Sequence, residues 1–235
     1  MIKNFLVLSI LIPVVVSAQE VKLEKQVDDS IYSQYGPNLP KYSHFYLGEG
    51  FFVQSSEGKG SDLVYGSSRV FQAGYRIKYR ISDFWAAGPE VEYCRSTYQL
   101  LQDESKTFPN TVLHKREKLL LHSINFGLFS RFNFKRRGNI MGNFLDIGGF
   151  AGWNFSASHI TKDDIDVTDY LSHSEKTIRS DLDYPSDYRY GLRARLGFNR
   201  FVLMAEYRLS DFFKPGFEEY SELSKLWIGL QLGIH

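Results

Sequence analysis

The sequence predicts an all-β protein: an eight-stranded antiparallel up-and-down transmembrane β-barrel with short periplasmic turns and long extracellular loops. Three observations predict it. Stretch after stretch alternates apolar and mixed residues with the period of two that a pleated strand imposes. The connections between those stretches run long, short, long, short, long, short, long. The apolar faces are aromatic and aliphatic while the opposite faces carry charge, which inverts a half-buried soluble sheet unless the apolar face meets lipid and the charged face is enclosed.

Composition agrees. The 235 residues include Phe 19, Tyr 15 and Gly 19 but only three Met, as an aromatic, glycine-rich β protein would. A net charge of +1 gives no reason to expect nucleic acid as a partner. Mean hydropathy of -0.28 argues against a bundle of membrane helices.

The chain opens with Lys3, the apolar run Phe5 to Val16, and Val16-Ser17-Ala18 before Gln19. These are the charged, apolar and small-residue regions of a secretory signal peptide, assigned to 1–18; the apolar run is shorter than the roughly 20 residues a spanning helix needs. Residues 19–42 read as a periplasmic linker, in which Leu23, Val27 and Ile31 share the spacing of a short amphipathic helix. The barrel domain is assigned to 43–235. The lone Cys94 has no partner for an intrachain disulfide.

The first strand, His44 to Gln54, is the least regular, because Glu49 shares the parity of Phe45, Leu47, Phe51 and Val53. A bulge at Gly48 or Gly50 would turn that carboxylate inward. The second, Arg69 to Ile81, sets Phe71, Tyr75, Ile77 and Tyr79 outward against Arg76, Lys78 and Arg80. A three-residue turn placing Ile81 opposite Trp85 matches the faces of the third strand and sets Arg76 opposite Glu90. Pro89 costs that strand a ladder bond and predicts a bulge nearby.

The fourth strand, Lys118 to Phe134, and the fifth, Met141 to Ala157, pair so that Phe132 meets Leu145 and Arg131 meets Asp146, with a two-residue ambiguity left by the turn. The sixth and seventh form the clearest hairpin. Asp187 to Phe198 turns through Asn199-Arg200, setting Phe198 opposite Phe201 and Arg193 opposite Glu206. The last strand, Lys225 to His235, alternates Leu226, Ile228, Leu230, Leu232 and Ile234 with Trp227, Gly229, Gln231 and Gly233.

This register sorts the outward aromatics to the strand ends. Tyr79, Trp85, Phe198 and Phe201 fall at the periplasmic end, and Trp153, Phe155, Tyr188 and Tyr190 at the other, as the two girdles of a membrane barrel. The enclosed face carries the bases Arg76, Lys78, Arg80, Arg131, Arg189, Arg193, Arg195 and Arg208 and the acids Glu90, Glu92, Asp146 and Glu206. Eight strands leave a lumen that side chains fill, so a charge network is expected there; a narrow basic conduit for anions is the other reading. Inward Gly74, Gly127, Gly152, Gly191 and Gly229 leave room for long side chains.

Gly74-Tyr75-Arg76-Ile77 leading into Gly88-Pro89-Glu90-Val91-Glu92-Tyr93, with the eight strands, resembles the PorT-like outer-membrane β-barrel family over 42–235. The resemblance implies residence in the bacterial outer membrane, reached through the periplasm, and supplies no mechanism. The closing strand resembles a barrel assembly signal at Gly229, Leu232 and Ile234, which makes the assembly machinery a partner during insertion; such signals usually end in an aromatic residue, and this one ends in Ile234-His235.

Chemistry is sparse. Some eight-stranded barrels are enzymes acting on lipid A, with His, Ser and an acid on the lipid face. Here Tyr207-Arg208-Leu209-Ser210-Asp211 puts an arginine where the histidine is needed, and arginine is no general base at neutral pH. His122-Ser123 and His173-Ser174 are adjacent pairs whose side chains part to opposite faces on a strand. Asp163, Asp164, Asp166 and Asp169 are oxygen donors of the type Ca²⁺ takes, but they lack EF-hand spacing and its glycine. No metal, cofactor or catalytic residue is expected. The expected function is that of a non-enzymatic integral outer-membrane barrel, in contact with lipid and with a protein partner through its extracellular loops.

Overall fold

The computed structural model describes residues 37–53, 60–134, 142–164, 174–217 and 219–234. The expected signal peptide, most of the linker, the turn after Phe134, and Asp166, Asp169, His173 and His235 lie outside the described residues.

Among the described residues nine strands run in order: β1 (Lys41–Phe52), β2 (Arg69–Arg80), β3 (Trp85–Leu100), β4 (Arg116–Phe134), β5 (Asn143–Asp164), β6 (Ser174–Ser180), β7 (Tyr188–Phe198), β8 (Phe201–Arg208) and β9 (Leu226–Ile234). Every pairing is antiparallel. β1 pairs β2, β2 pairs β3, and so on through β4–β5, β5–β7, β7–β8 and β8–β9, and β9 returns to β1. Eight strands therefore close a ring with no free edge, which satisfies backbone groups that lipid cannot. β6 is a ninth strand outside the ring, paired with the far half of β5.

Burial along each strand alternates with the sequence pattern. In β7 the odd residues Arg189, Gly191, Arg193, Arg195 and Gly197 are buried and the even residues are exposed. The exposed face is the apolar one: Phe126 is 66% exposed, Leu128 70% and Tyr188 70%. Such a face has lipid as its solvent.

The register agrees with the sequence at Arg76 opposite Glu90, Phe132 opposite Leu145, Arg131 opposite Asp146, Arg193 opposite Glu206 and Phe198 opposite Phe201. Asn199, at φ 59, supplies the left-handed residue of the last of these turns, a conformation Asn tolerates.

Two irregularities differ from expectation. β1 is regular across both neighbours, with no bulge, so Glu49 stays on the outer face and pairs with Arg69 at 3.4 Å. The partner arginine makes the inward turn of that carboxylate unnecessary. Pro89 likewise causes no register shift: the β2–β3 ladder lapses between Arg76–Glu90 and Tyr79–Ala87 and resumes in step. Gly88 makes this possible, since a Cβ there would overlap the Ile77 carbonyl. The bulge that does occur lies where β4 passes from Ser123–Asn154 to His122–Ser156, which leaves Phe155 unpaired and reverses the parity of β5 beyond it.

Candidate functional site

β2, β3, β4, β5, β7 and β8 carry the charged interior, because each contributes inward residues at alternate positions along the same stretch of the ring. Glu90 accepts from Arg76 Nε at 2.9 Å, from Arg193 Nη1 at 2.5 Å and from Arg195 Nη2. Glu92 accepts from Arg193 Nη2 at 2.8 Å, the Tyr46 hydroxyl at 2.9 Å, Gln72 Nε2 at 2.9 Å and Asn125 Nδ2 at 3.0 Å. Glu206 takes Arg193 at 2.6 Å and Arg189 at 2.7 Å. Arg131 grips Asp146 with two parallel bonds of 2.7 and 2.8 Å, the geometry a planar guanidinium favours.

Arg76–Glu90, Arg131–Asp146 and Arg193–Glu206 are neighbours in register and legible as such. The bonds from Arg193 to Glu90 and Glu92, and from Arg195 to Glu90, join β7 to β3 across the lumen, where register gives no guide. Inward aromatics complete the packing. Arg131 lies over the Phe144 ring at 3.5 Å, Arg76 over Tyr46 at 4.4 Å and Arg193 over Phe150 at 5.0 Å. Phe144 and Phe150 share the inward face of β5 with Asp146, and the arginines alongside give them their role. Gly127 leaves room for the Glu90 carboxylate, which a Cβ would meet at 2.8 Å.

Arg208 stands apart from this network. Instead of pairing with its four acids, it binds Glu222 at 2.7 Å and the carbonyls of Ser210 and Leu223 at 2.7 and 3.1 Å, at the extracellular mouth. The acid it needs lies in the last loop, which strand periodicity does not reach. Arg208 and Ser210 are both buried, so neither lies on the lipid face where lipid A chemistry would require them. At the opposite end Lys78 Nζ donates to the Pro37 carbonyl and Arg80 Nη1 to that of Asn38 at 2.9 Å, which ties the chain before β1 to the base of β2.

The girdle residues Tyr79, Trp85, Phe198 and Phe201 occupy the outer face beside the short turns, and Trp153, Phe155, Tyr188 and Tyr190 the outer face beside the long loops; all eight are exposed. His122 lies on that face, its Nδ1 2.6 Å from the Tyr93 hydroxyl, while Ser123 points inward to the Cys94 carbonyl.

Among the described residues the long loops bring aromatic side chains together in one buried cluster, a feature that strand alternation did not disclose. Phe108 is fully buried, edge-on to Tyr184 at 5.3 Å and to Phe213 and Tyr220 at 4.9 Å each. Leu63, Phe212 and Leu223 join the same cluster, which continues down to Phe52, Tyr98 and Trp227 at the strand tops. All four long connections thus share one apolar cap. Phe212, Phe213, Phe217 and Tyr220 follow no strand period, so alternation carries no signal of the cap beyond their number in one short loop.

Beside the cap, Glu117 on the extracellular reach of β4 accepts from Lys106 Nζ at 2.6 Å, His159 Nε2 at 2.6 Å and Gln102 Nε2 at 2.9 Å. Burial pushes this carboxyl upward, but those hydrogen bonds outweigh it and hold it below its ordinary value of 4.5. Asp163 and Asp164 are taken by His114 at 2.7 Å and Lys115 at 2.7 Å. Among the described residues no three acids, histidines or cysteines gather as a metal site.

An eight-stranded ring with an apolar exterior, a charged interior and alternating short and long connections defines a barrel of the bacterial outer membrane. A model of the family described as "Outer membrane protein beta-barrel domain" matches residues 30–212, and the chain belongs to that family. No curated protein matches the chain. Among solved structures it is similar to Ail, the attachment invasion locus protein of Yersinia pestis, in complex with the heparin analogue sucrose octasulfate. That likeness covers 83% of this chain and 96% of the other at 13% identity, with a TM-score of 0.32, too distant to bear on function.

Proposed function

We propose that this protein is a closed, non-catalytic barrel whose working part is its extracellular end, where the packed loops and the extended strands β4, β5 and β6 present a surface to a partner. One observation carries the reading: the interior is occupied along its length, by loop aromatics at the outer mouth, by paired guanidinium and carboxylate groups in the middle, and by the contacts of Lys78 and Arg80 at the base. A lumen spanned by bonds from Arg193 to both Glu90 and Glu92 offers ions no continuous water. Planar bilayer recordings on the refolded protein in concentrated KCl test it. The expected result is no unitary conductance; ohmic, anion-selective openings would overturn the reading.

A narrow anion pore is the alternative, favoured by the excess of bases inside and by Arg189 Nε and Arg195 Nε, which have no hydrogen-bond partner among the described residues. A lipid-A-modifying enzyme is the third reading, and turnover of lipid A that depends on Ser210 would establish it. The finer placement in the PorT-like branch rests on the run from Gly74 to Ile77 leading into Gly88 to Tyr93, where Arg76 and Glu90 form the first of the lumen pairs.

A further inference from the structure

The outward face of the extracellular sheet carries a row of like charges that the fold does not explain. β4, β5 and β6 continue side by side beyond the ring, and register sets Arg116 opposite Lys162 and Lys162 opposite Lys176. Two residues nearer the barrel, Lys118 faces Ile160, which faces Ile178. Residues directly opposed on one face stand about 5 Å apart, where like charges destabilise a sheet. An edge lysine guards a strand against pairing with another chain, which accounts for Lys176. It does not account for Lys162, which has a strand on each side.

None of Arg116, Lys118, Lys162 and Lys176 forms a salt bridge with an acid among the described residues. Asp164, the acid nearest on this face, is held by Lys115 at 2.7 Å. Glu117, Asp163 and Glu175 have the opposite parity and belong to the other face. A hollow of about 150 Å³ lies over the row, with Gln99, Glu117 and Ile160 in its wall beside the bases; the Glu117 carboxylate itself is buried against Lys106 and His159.

The position of the row selects among anions. It lies on the same outward face as the upper aromatic girdle, where Ile124 pairs with Trp153. Lys118 is six residues farther along β4, about 20 Å along the strand. With the strand tilted by about 40°, that is a rise of about 15 Å above the girdle, which carries it past the acyl chains and into the sugar layer of the outer leaflet.

We propose that Arg116, Lys118, Lys162 and Lys176 bind phosphate groups on the sugar headgroup of an outer-leaflet glycolipid lying alongside the barrel. Arg116 offers a planar fork to a phosphate and the lysines add point charges, while Gln99 meets sugar hydroxyls and Ile160 the apolar face of a sugar ring. The inference rests on the extracellular end being the working part, yet it fails separately: conductance tests the closed lumen, and glycolipid binding tests this face.

The refolded full chain in detergent is titrated with rough lipopolysaccharide whose core retains its phosphates, and with the same material after dephosphorylation. Replacing Arg116, Lys162 and Lys176 together by Gln should weaken binding of the phosphorylated form by about tenfold or more. Wild type should bind the dephosphorylated form as weakly as the triple variant binds the native one. Without ligand, the triple variant should resist heat at least as well as wild type, since repulsion is relieved. Lys162→Gln alone should weaken binding in the same direction if the triple variant does not fold, and Lys41→Gln, the same charge change at the periplasmic end, should leave it unchanged. Equal binding by wild type and variant, equal binding of both forms of the glycolipid, or inorganic phosphate competing as well as the glycolipid would each overturn the proposal.

Discussion

Glu90 carries the largest share of the interior's charge balance, because three guanidinium groups converge on its two oxygens. Replacing it with Gln keeps the shape and removes the charge, leaving Arg76, Arg193 and Arg195 buried together with less compensation. Breaking a buried ion pair from one side costs about 3–5 kcal/mol, since the remaining charges keep their desolvation penalty. Glu49 is the counter-example. It also pairs with an arginine, but on the exposed outer face, and exposed pairs contribute about 0–1 kcal/mol. Urea unfolding in lipid vesicles should therefore separate Glu90→Gln from Glu49→Gln by several kcal/mol; a Glu90→Gln midpoint matching that of wild type would refute the accounting. Sequence periodicity placed Glu90 inside and gave it Arg76. It gave no hint of Arg193 and Arg195, which reach it from across the ring.

At the scale of elements, the extracellular reach of β4 and β5 is held to the loop between β3 and β4 by Glu117, through Lys106, Gln102 and His159. The carboxyl lies below its ordinary value in the folded protein, so the stability it contributes is present above that ordinary value and is lost as pH falls below it. Hydrogen exchange in residues 101–115 should rise as pH drops from about 6 to about 3, while the ring strands keep their protection. Glu117→Gln should show raised exchange at both pH values; a variant as protected as wild type at neutral pH would contradict the role assigned to the carboxylate. The ring strands were legible because lipid on one side and charge on the other force opposite characters onto alternate residues. β6 was not, since Ser174 to Ser180 has water on much of both faces and no alternation results. The aromatic cap was hidden for a related reason: loop residues that pack through turns have no fixed period. The bulge at Phe155 was hidden too, because Phe155 and Ser156 both sit on the outer face there.

For the whole molecule the decisive physical fact is which solvent meets the outer face. Leu128 lies near the middle of that face on β4, between Pro89 and Gly149, and is 70% exposed. On a soluble protein an arginine at so exposed a site would alter stability by less than about 0.5 kcal/mol. In a bilayer the same side chain stands near the midplane, where a charge on the lipid face costs about 2–4 kcal/mol. Leu113, in the extracellular loop after β3, is 50% exposed and supplies the control within the same chain. Leu128→Arg should destabilise the protein by about 2–4 kcal/mol on unfolding from lipid vesicles, and Leu113→Arg by less than about 0.5 kcal/mol. The girdles add a gradient to the test, because a lipid-face charge costs less toward either interface. Phe198→Arg, at the periplasmic girdle beside the Asn199-Arg200 turn, should fall between the other two variants. Equal effects at all three positions would mean that water, and not lipid, surrounds the barrel.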